Sequence, residues 1–220
     1  MPISSLMLLV MTSLWSMVYI LAIVYSLRSK THAIPPISLA FNFAWELVAM
    51  LFYWEYVAIV WVIIDVVIVA LFVNEYRIKK DKKGFLYLIP FACWSLLCVL
   101  LFNIRIPGKF NGFYFLGFAQ DLFMAIEFHC EFKKKKSAQK INLTLWFVAL
   151  FKLLGDLLAF ISSRTIPFVS FFGIFVLLFN TGYIVRISKY LYSNWKTKTL
   201  KKNSRVKKKR KKKKSKKKKK

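Results

Sequence analysis

The chain has 220 residues, 58% hydrophobic and 18% aromatic, with a mean hydropathy of +0.49 and a formal net charge of +27. The two properties are segregated, because 20 of its 36 Lys and Arg fall after residue 185 with no acid among them. That pattern excludes an ordinary soluble domain, and three cysteines without a CxxC pair exclude a disulfide framework.

Apolar windows follow one another at 6–27, 37–54, 57–73, 85–102, 113–132, 143–161 and 168–185. Each is close to the ~17–25 residues that a helix needs to cross a bilayer, and none alternates with the period of two that a barrel strand requires. The expected fold is an all-α membrane bundle of seven transmembrane helices, occupying 1–188, with a basic tail over 189–220. No Lys or Arg precedes the first window, which is longer than a typical signal-peptide core, so a retained first helix is expected rather than a cleaved signal. Cys93, Cys98 and Cys130 lie in the fourth and fifth windows and are expected to be buried apolar groups.

The linkers set the orientation. Arg105, Lys109 and Arg164 lie at one set of helix ends. The other set holds Arg28, Lys30, Arg77, Lys79, Lys80, Lys82, Lys83, Lys133, Lys134, Lys135, Lys136 and Lys140, and the tail joins it. With seven spans, the excess of positive charge predicts the N-terminus outside and the tail in the cytoplasm. The low-complexity segment 207–220 cannot bury apolar surface and is expected to be disordered. Its expected partners are anionic lipid headgroups, at ~1 kcal/mol per basic residue near the surface. Nucleic acid is disfavoured, since no aromatic residue interleaves the last 25 residues for base stacking.

Polar residues recur near the centre of these windows. Glu46 sits at the middle of the second, where a carboxylate costs at least ~2.5–3.5 kcal/mol. Asp65 is central in the third, Gln120 and Asp121 in the fifth, and Lys152 in the sixth with Asp156 one turn on. Asn180 lies in the inner half of the seventh. Asn42 and Glu46 are i and i+4, as are Lys152 and Asp156, so each pair projects from one helix face. Inward-facing, these groups would form a midplane polar pocket walled by Trp45, Trp61 and Phe128. Burial disfavours the charged form of a carboxyl, so Glu46 would be a proton donor in apolar surroundings. Aromatic faces stabilise cations by ~0.5–2 kcal/mol. An acid with aromatic walls suits protonation of an apolar substrate and guidance of the resulting carbocation. It equally suits a proton or cation pathway, and a third reading is a non-catalytic module that binds lipid or a partner, its polar groups fixing helix register. Internal repeats of the kind many carriers show are absent. So are a Walker loop, GxGxxG, GxSxG, HExxH and an aspartate-rich DDxxD word, so neither a cofactor nor a metal is expected.

The words Asn42-Phe-Ala-Trp45-Glu46 and Trp61-Val-Ile-Ile-Asp65 resemble those of the integral-membrane terpene cyclases of fungal meroterpenoid and indole-diterpene pathways. Gln120-Asp-Leu-Phe-Met124 is similar to the Gln-Asn-Leu-Leu-Met of bacterial relatives, and Lys152-Leu-Leu-Gly155-Asp156 to their Lys-x-x-Gly-Thr. The resemblance implies a vase-shaped seven-helix bundle and metal-free cyclisation of a polyprenyl substrate, often begun by protonating an epoxide. The family's essential Glu maps to Glu46. Its second acid, in the last helix ahead of a Tyr, maps to Asn180, with Tyr183 present. An amide supplies no proton, so the resemblance leaves Asp65, Asp121 or Asp156 for that role, or a different activity. Expected around the substrate are Asn42, Trp45, Trp61, Gln120, Lys152, Asn180 and Tyr183.

Overall fold

The computed structural model describes residues 3–53, 56–78, 87–106, 110–163 and 167–217, with side chains described over 6–52, 57–75, 87–104, 111–163 and 169–199. Lys79, Lys80, Lys82, Lys83, Lys109 and Arg164, on which part of the orientation argument rests, lie outside the described residues. Among the described residues there are seven helices: α1 (Ile3–Ser29), α2 (Pro36–Tyr53), α3 (Tyr56–Ile78), α4 (Leu88–Leu101), α5 (Gly112–Ser137), α6 (Leu143–Ser163) and α7 (Pro167–Lys217). Four stretches within them, Leu6–Ser29, Val57–Glu75, Leu143–Ser163 and Val169–Thr199, are long and apolar enough to cross a membrane. Two shorter apolar helices cover Pro36–Phe52 and Leu88–Leu101. The expected all-α fold holds apart from one antiparallel pair, β1 (Arg105–Ile106) with β2 (Phe110–Asn111), between α4 and α5.

Each helix buries one stripe and turns large apolar side chains outward. On α1 the stripe is Trp15, Val18, Tyr19, Ala22, Tyr25 and Ser26, while Leu8, Leu9, Met17 and Ile20 face out. On α3 it is Ala58, Val62, Asp65, Ile68, Phe72 and Glu75. These spacings of three and four residues are one face of a 3.6-residue period. So much outward apolar surface is foreign to a water-soluble protein and ordinary for one solvated by lipid. Cys98 is buried as expected, but Cys93 and Cys130 are exposed, because the apolar face of a membrane helix offers a thiol two hydrophobic surroundings, protein and lipid.

Helix starts follow local chemistry. Pro36 and Pro167 occupy first helical positions, where the missing N–H costs nothing. Asn111 caps α5, its Oδ1 accepting from Phe113 N at 3.1 Å and from Tyr114 N at 3.5 Å. Asn142 does the same for α6, accepting from Leu145 N at 3.0 Å. Gly112 lies so close to the Leu101 carbonyl that a β-carbon there would collide with it, which lets α5 begin against the end of α4.

The helices pack pairwise, α1 on α6 most extensively, and α2 on α3, α4 and α5. A core of Ala44, Val48, Ala58, Trp94, Cys98, Phe102 and Leu116 joins α2 to α5, and Phe118, Val169 and Val176 join α5 to α7. Polar contacts gather the ends of α1, α3 and α5 with the starts of α2 and α6. Lys135 reaches the Ala33 carbonyl at 2.8 Å, Lys140 the Ser29 carbonyl, and Glu75 the backbone N–H of His32 at 2.7 Å. Backbone packing divides the chain into two compact units, Met1–Ile184 and Val185–Lys220. The second is helical through Lys217, where composition predicts disorder over 207–220. No Gly or Pro follows Gly182, and Lys and Arg are good helix formers, so nothing local terminates α7.

Candidate functional site

Two buried polar clusters flank one cavity. The first is centred on Glu46, which is 1% exposed. Tyr19, from α1, donates its hydroxyl to Glu46 Oε1, and Asn42 Nδ2 donates to the same oxygen at 2.8 Å. The Asn42 amide also lies 2.8 Å from the Tyr19 hydroxyl and 3.0 Å from Asp65 Oδ2. It has only two hydrogens for these three acceptors, so it acts as a bridge that holds α1, α2 and α3 in register. Gln120 closes the cluster from α5 by donating to Asn42 Oδ1 at 3.4 Å. Asn42 thus links the Glu46 and Asp65 carboxyls through its amide.

The second cluster is centred on Lys152, from α6. Its ammonium donates to Asp156 Oδ2 at 2.6 Å, sits 3.6 Å from Asp121 Oδ1, and lies 5.0 Å from the centroid of the Trp15 ring. Asn180 Nδ2, from α7, donates to the same Asp156 oxygen at 2.6 Å. A buried ion pair is retained only with such extra hydrogen bonds, since desolvation opposes it. Gly155 makes the approach possible: a β-carbon there would sit 2.9 Å from the Trp15 ring, so a larger residue would push α1 off α6.

The cavity between the clusters has a volume of about 500 Å3. Glu46, Asn42 and Gln120 reach it from the first cluster and Asp121 from the second, and its walls include Trp15, Tyr19, Trp45, Trp61, Phe113 and Phe118. Trp45 is fixed by a bond from its Nε1 to the Phe113 carbonyl at 3.3 Å, and Trp61 by one to Ser16 Oγ at 3.1 Å. Asp65, Lys152, Asp156 and Asn180 stand behind the residues that line the cavity rather than on it. Tyr183 and Phe128, expected around the pocket, instead pack against each other in a tilted pair with ring centroids 5.0 Å apart, beside His129 and Phe132. They lie too far along α5 and α7 toward the end carrying Lys135 to reach it.

Sequence reasoning missed Tyr19 and Trp15. Their i, i+4 spacing was visible, but an aromatic pair in a uniformly apolar helix carries no mark of which face is buried.

Residues 1–162 match the family model of the Pyr4-like transmembrane terpene cyclases. No curated protein and no solved structure matches the chain. The matched part spans α1 through nearly all of α6, and so includes Tyr19, Asn42, Glu46, Asp65, Asp121, Lys152 and Asp156. With its apolar helices, this makes the chain an integral, multi-pass membrane protein, and it belongs to the Pyr4-like transmembrane terpene cyclase family.

Proposed function

We propose that the protein cyclises an apolar polyprenyl substrate, plain or epoxidised, without a metal, and that Glu46 is the general acid that starts the reaction. The carrying observation is that Glu46 lines an aromatic-walled cavity while Tyr19, Asn42 and Asp65 surround it. A proton from Glu46 goes to an epoxide oxygen or an alkene carbon. The carbocation so formed is attacked by internal double bonds, within aromatic walls that include Trp45, Trp61 and Phe113 and that suit a moving positive charge. Loss of a proton from carbon ends the cascade and leaves a product of the same mass as the substrate. Asp121, the other carboxyl on the cavity wall, is the acceptor we assign to that proton. Asp65 positions Glu46 through Asn42, and Lys152, Asp156 and Asn180 hold Asp121 in place.

Asn180 then supports Asp156 without supplying a carboxyl of its own. The 2.6 Å bond from Asn180 to Asp156 supports the reading that the second acid has moved off the last helix, with Asp121 acting on the cavity wall and Asp156 behind it. We further propose that all seven helices cross the membrane, with the N-terminus outside and the basic tail from 189 in the cytoplasm. The gathering of the first and fifth linkers at one end of the bundle favours that alternation.

The test is product formation. Protein in nanodiscs is incubated with a panel of plain and epoxidised polyprenyl compounds, and products are resolved by mass spectrometry and NMR. A cyclic isomer from any panel member supports the reading. No turnover, with dissipation of a proton gradient when the protein is in liposomes, would replace it with a proton-coupled carrier.

A further inference from the structure

A second cavity, of about 360 Å3, opens where α1 ends, α2 begins and α5 gives way to α6. None of its residues belongs to the site above. Its walls carry the ammoniums of Lys30, Lys134, Lys135 and Lys140 together with His32, against the single carboxylate of Glu131. Glu131 is already engaged, with Oε1 2.7 Å from Lys134 Nζ and Oε2 4.0 Å from His32 Nε2. The nearby acids are turned elsewhere: Glu75 accepts from Thr31 and from the backbone and ring of His32, and Glu127 from the backbone and hydroxyl of Ser38.

Lys135 is the telling group. It is 4% exposed, and its ammonium donates to the Ala33 carbonyl at 2.8 Å. Among the described residues it has no carboxylate within ion-pair distance. The Tyr25 and Phe128 rings, at 5.8 and 5.7 Å, offer it only their faces. An ammonium has three hydrogens to donate, and a buried cation without a counterion is costly. Burial pushes it down to about 8 even though Glu131, Glu75 and Glu127 pull the other way from a distance, a remaining penalty that a bound anion would offset. His32 Nε2 is likewise buried without a hydrogen-bond partner. A buried ammonium short of acceptors, beside a buried imidazole nitrogen with no partner, in a cavity that three more lysines line, is the complement of an oxyanion with several acceptor oxygens. Lys30 holds its place with a positive φ of 51°, a conformation that disfavours any side chain larger than glycine's hydrogen.

We propose that this cavity is a phosphate-binding site, taking the phosphomonoester of a lipid headgroup or a free phosphate. The shared chemistry is a doubly charged oxyanion received by Lys30, Lys135 and Lys140, with His32 adding an Nε2–H donor in its imidazolium form, whose Nδ1–H faces Glu75. This site is separate from the basic tail and owes nothing to it.

The full chain in phosphatidylcholine nanodiscs is titrated with inorganic phosphate and, separately, with short-chain phosphatidic acid, and the thermal unfolding midpoint is followed, because a ligand of the folded state raises it. The expected result is a saturable rise with at least one of the two. Lys30→Gln with Lys140→Gln should weaken apparent affinity by about tenfold or more. Replacing the basic residues after 206 by Gln should leave it unchanged. Stabilisation by phosphate identifies a free oxyanion as sufficient, and stabilisation by phosphatidic acid alone identifies a headgroup; both support the site. No saturable rise with either ligand overturns it, as does equal affinity in the wild type and the double variant, or loss of affinity only when the tail is neutralised. If the double variant does not fold, Lys30→Gln alone is read in its place, since that side chain is exposed and contributes little packing. A several-fold loss of affinity then supports the site and an unchanged affinity overturns it. Turnover plays no part, so the outcome is independent of the proposed cyclase chemistry.

Discussion

Tyr19 and Asn42 share one oxygen of Glu46, the group to which we assign the initiating proton. A donor that holds a proton-transferring group in place should affect the catalytic rate more than substrate affinity. Tyr19→Phe removes the hydroxyl and keeps the ring against Trp61; losing one buried donor at ~1–3 kcal/mol should lower kcat by about tenfold or more with KM little changed. Lys152→Met leaves Asp121 and Asp156 without their cation, and breaking a buried pair in this way should cost about 3–5 kcal/mol in unfolding free energy. Asn180→Asp would set another carboxyl against Asp156 Oδ2, where an amide now donates. It should therefore lower the unfolding midpoint and fail to raise turnover; a gain in both would show that the acid belongs on α7 after all. The pairs Asn42–Glu46 and Lys152–Asp156 were legible because i, i+4 spacing decides them within one helix. Tyr19 was not, because its partners lie on α2, and Tyr183 misled because a family word gives position along a helix without depth in the pocket.

At the scale of elements, apolar length and the 3.6-residue stripe were enough to place the helices. The short β1–β2 pair was not legible, since two-residue strands carry no period. Nor was the reach of α7, where composition pointed to disorder and helix propensity met no breaker. The α1–α6 contact is the most exacting interface, because Gly155 admits the Trp15 ring there. Gly155→Val should overpack it and cost about 1–3 kcal/mol in stability, read from thermal unfolding in detergent, with turnover falling as Trp15 shifts off the cavity. Asn111→Ala removes the cap of α5 and should cost about 1 kcal/mol while leaving product identity unchanged, since the cap lies outside the two polar clusters.

For the molecule as a whole, charge and apolar surface do different work. Outward-facing leucines, valines and phenylalanines commit the bundle to lipid, and in the topology we propose the basic linkers, with the tail, set which way it is inserted. A tag at the N-terminus should be reached by antibody from outside sealed cells, and a tag after residue 220 only once they are permeabilised. Membrane class was readable from composition alone; substrate class was not, because it depends on which polar groups from six helices converge, and convergence is a property of packing. The most direct measurement is turnover of an active polyprenyl substrate by the wild type, Glu46→Asp and Glu46→Gln in nanodiscs, with folding checked by thermal unfolding. A general acid contributes about 10²–10⁴-fold, so Glu46→Gln should lose at least that much cyclic product while staying folded, and Glu46→Asp should retain part of it. A folded Glu46→Gln protein that still forms the cyclic isomer at the wild-type rate would contradict the account.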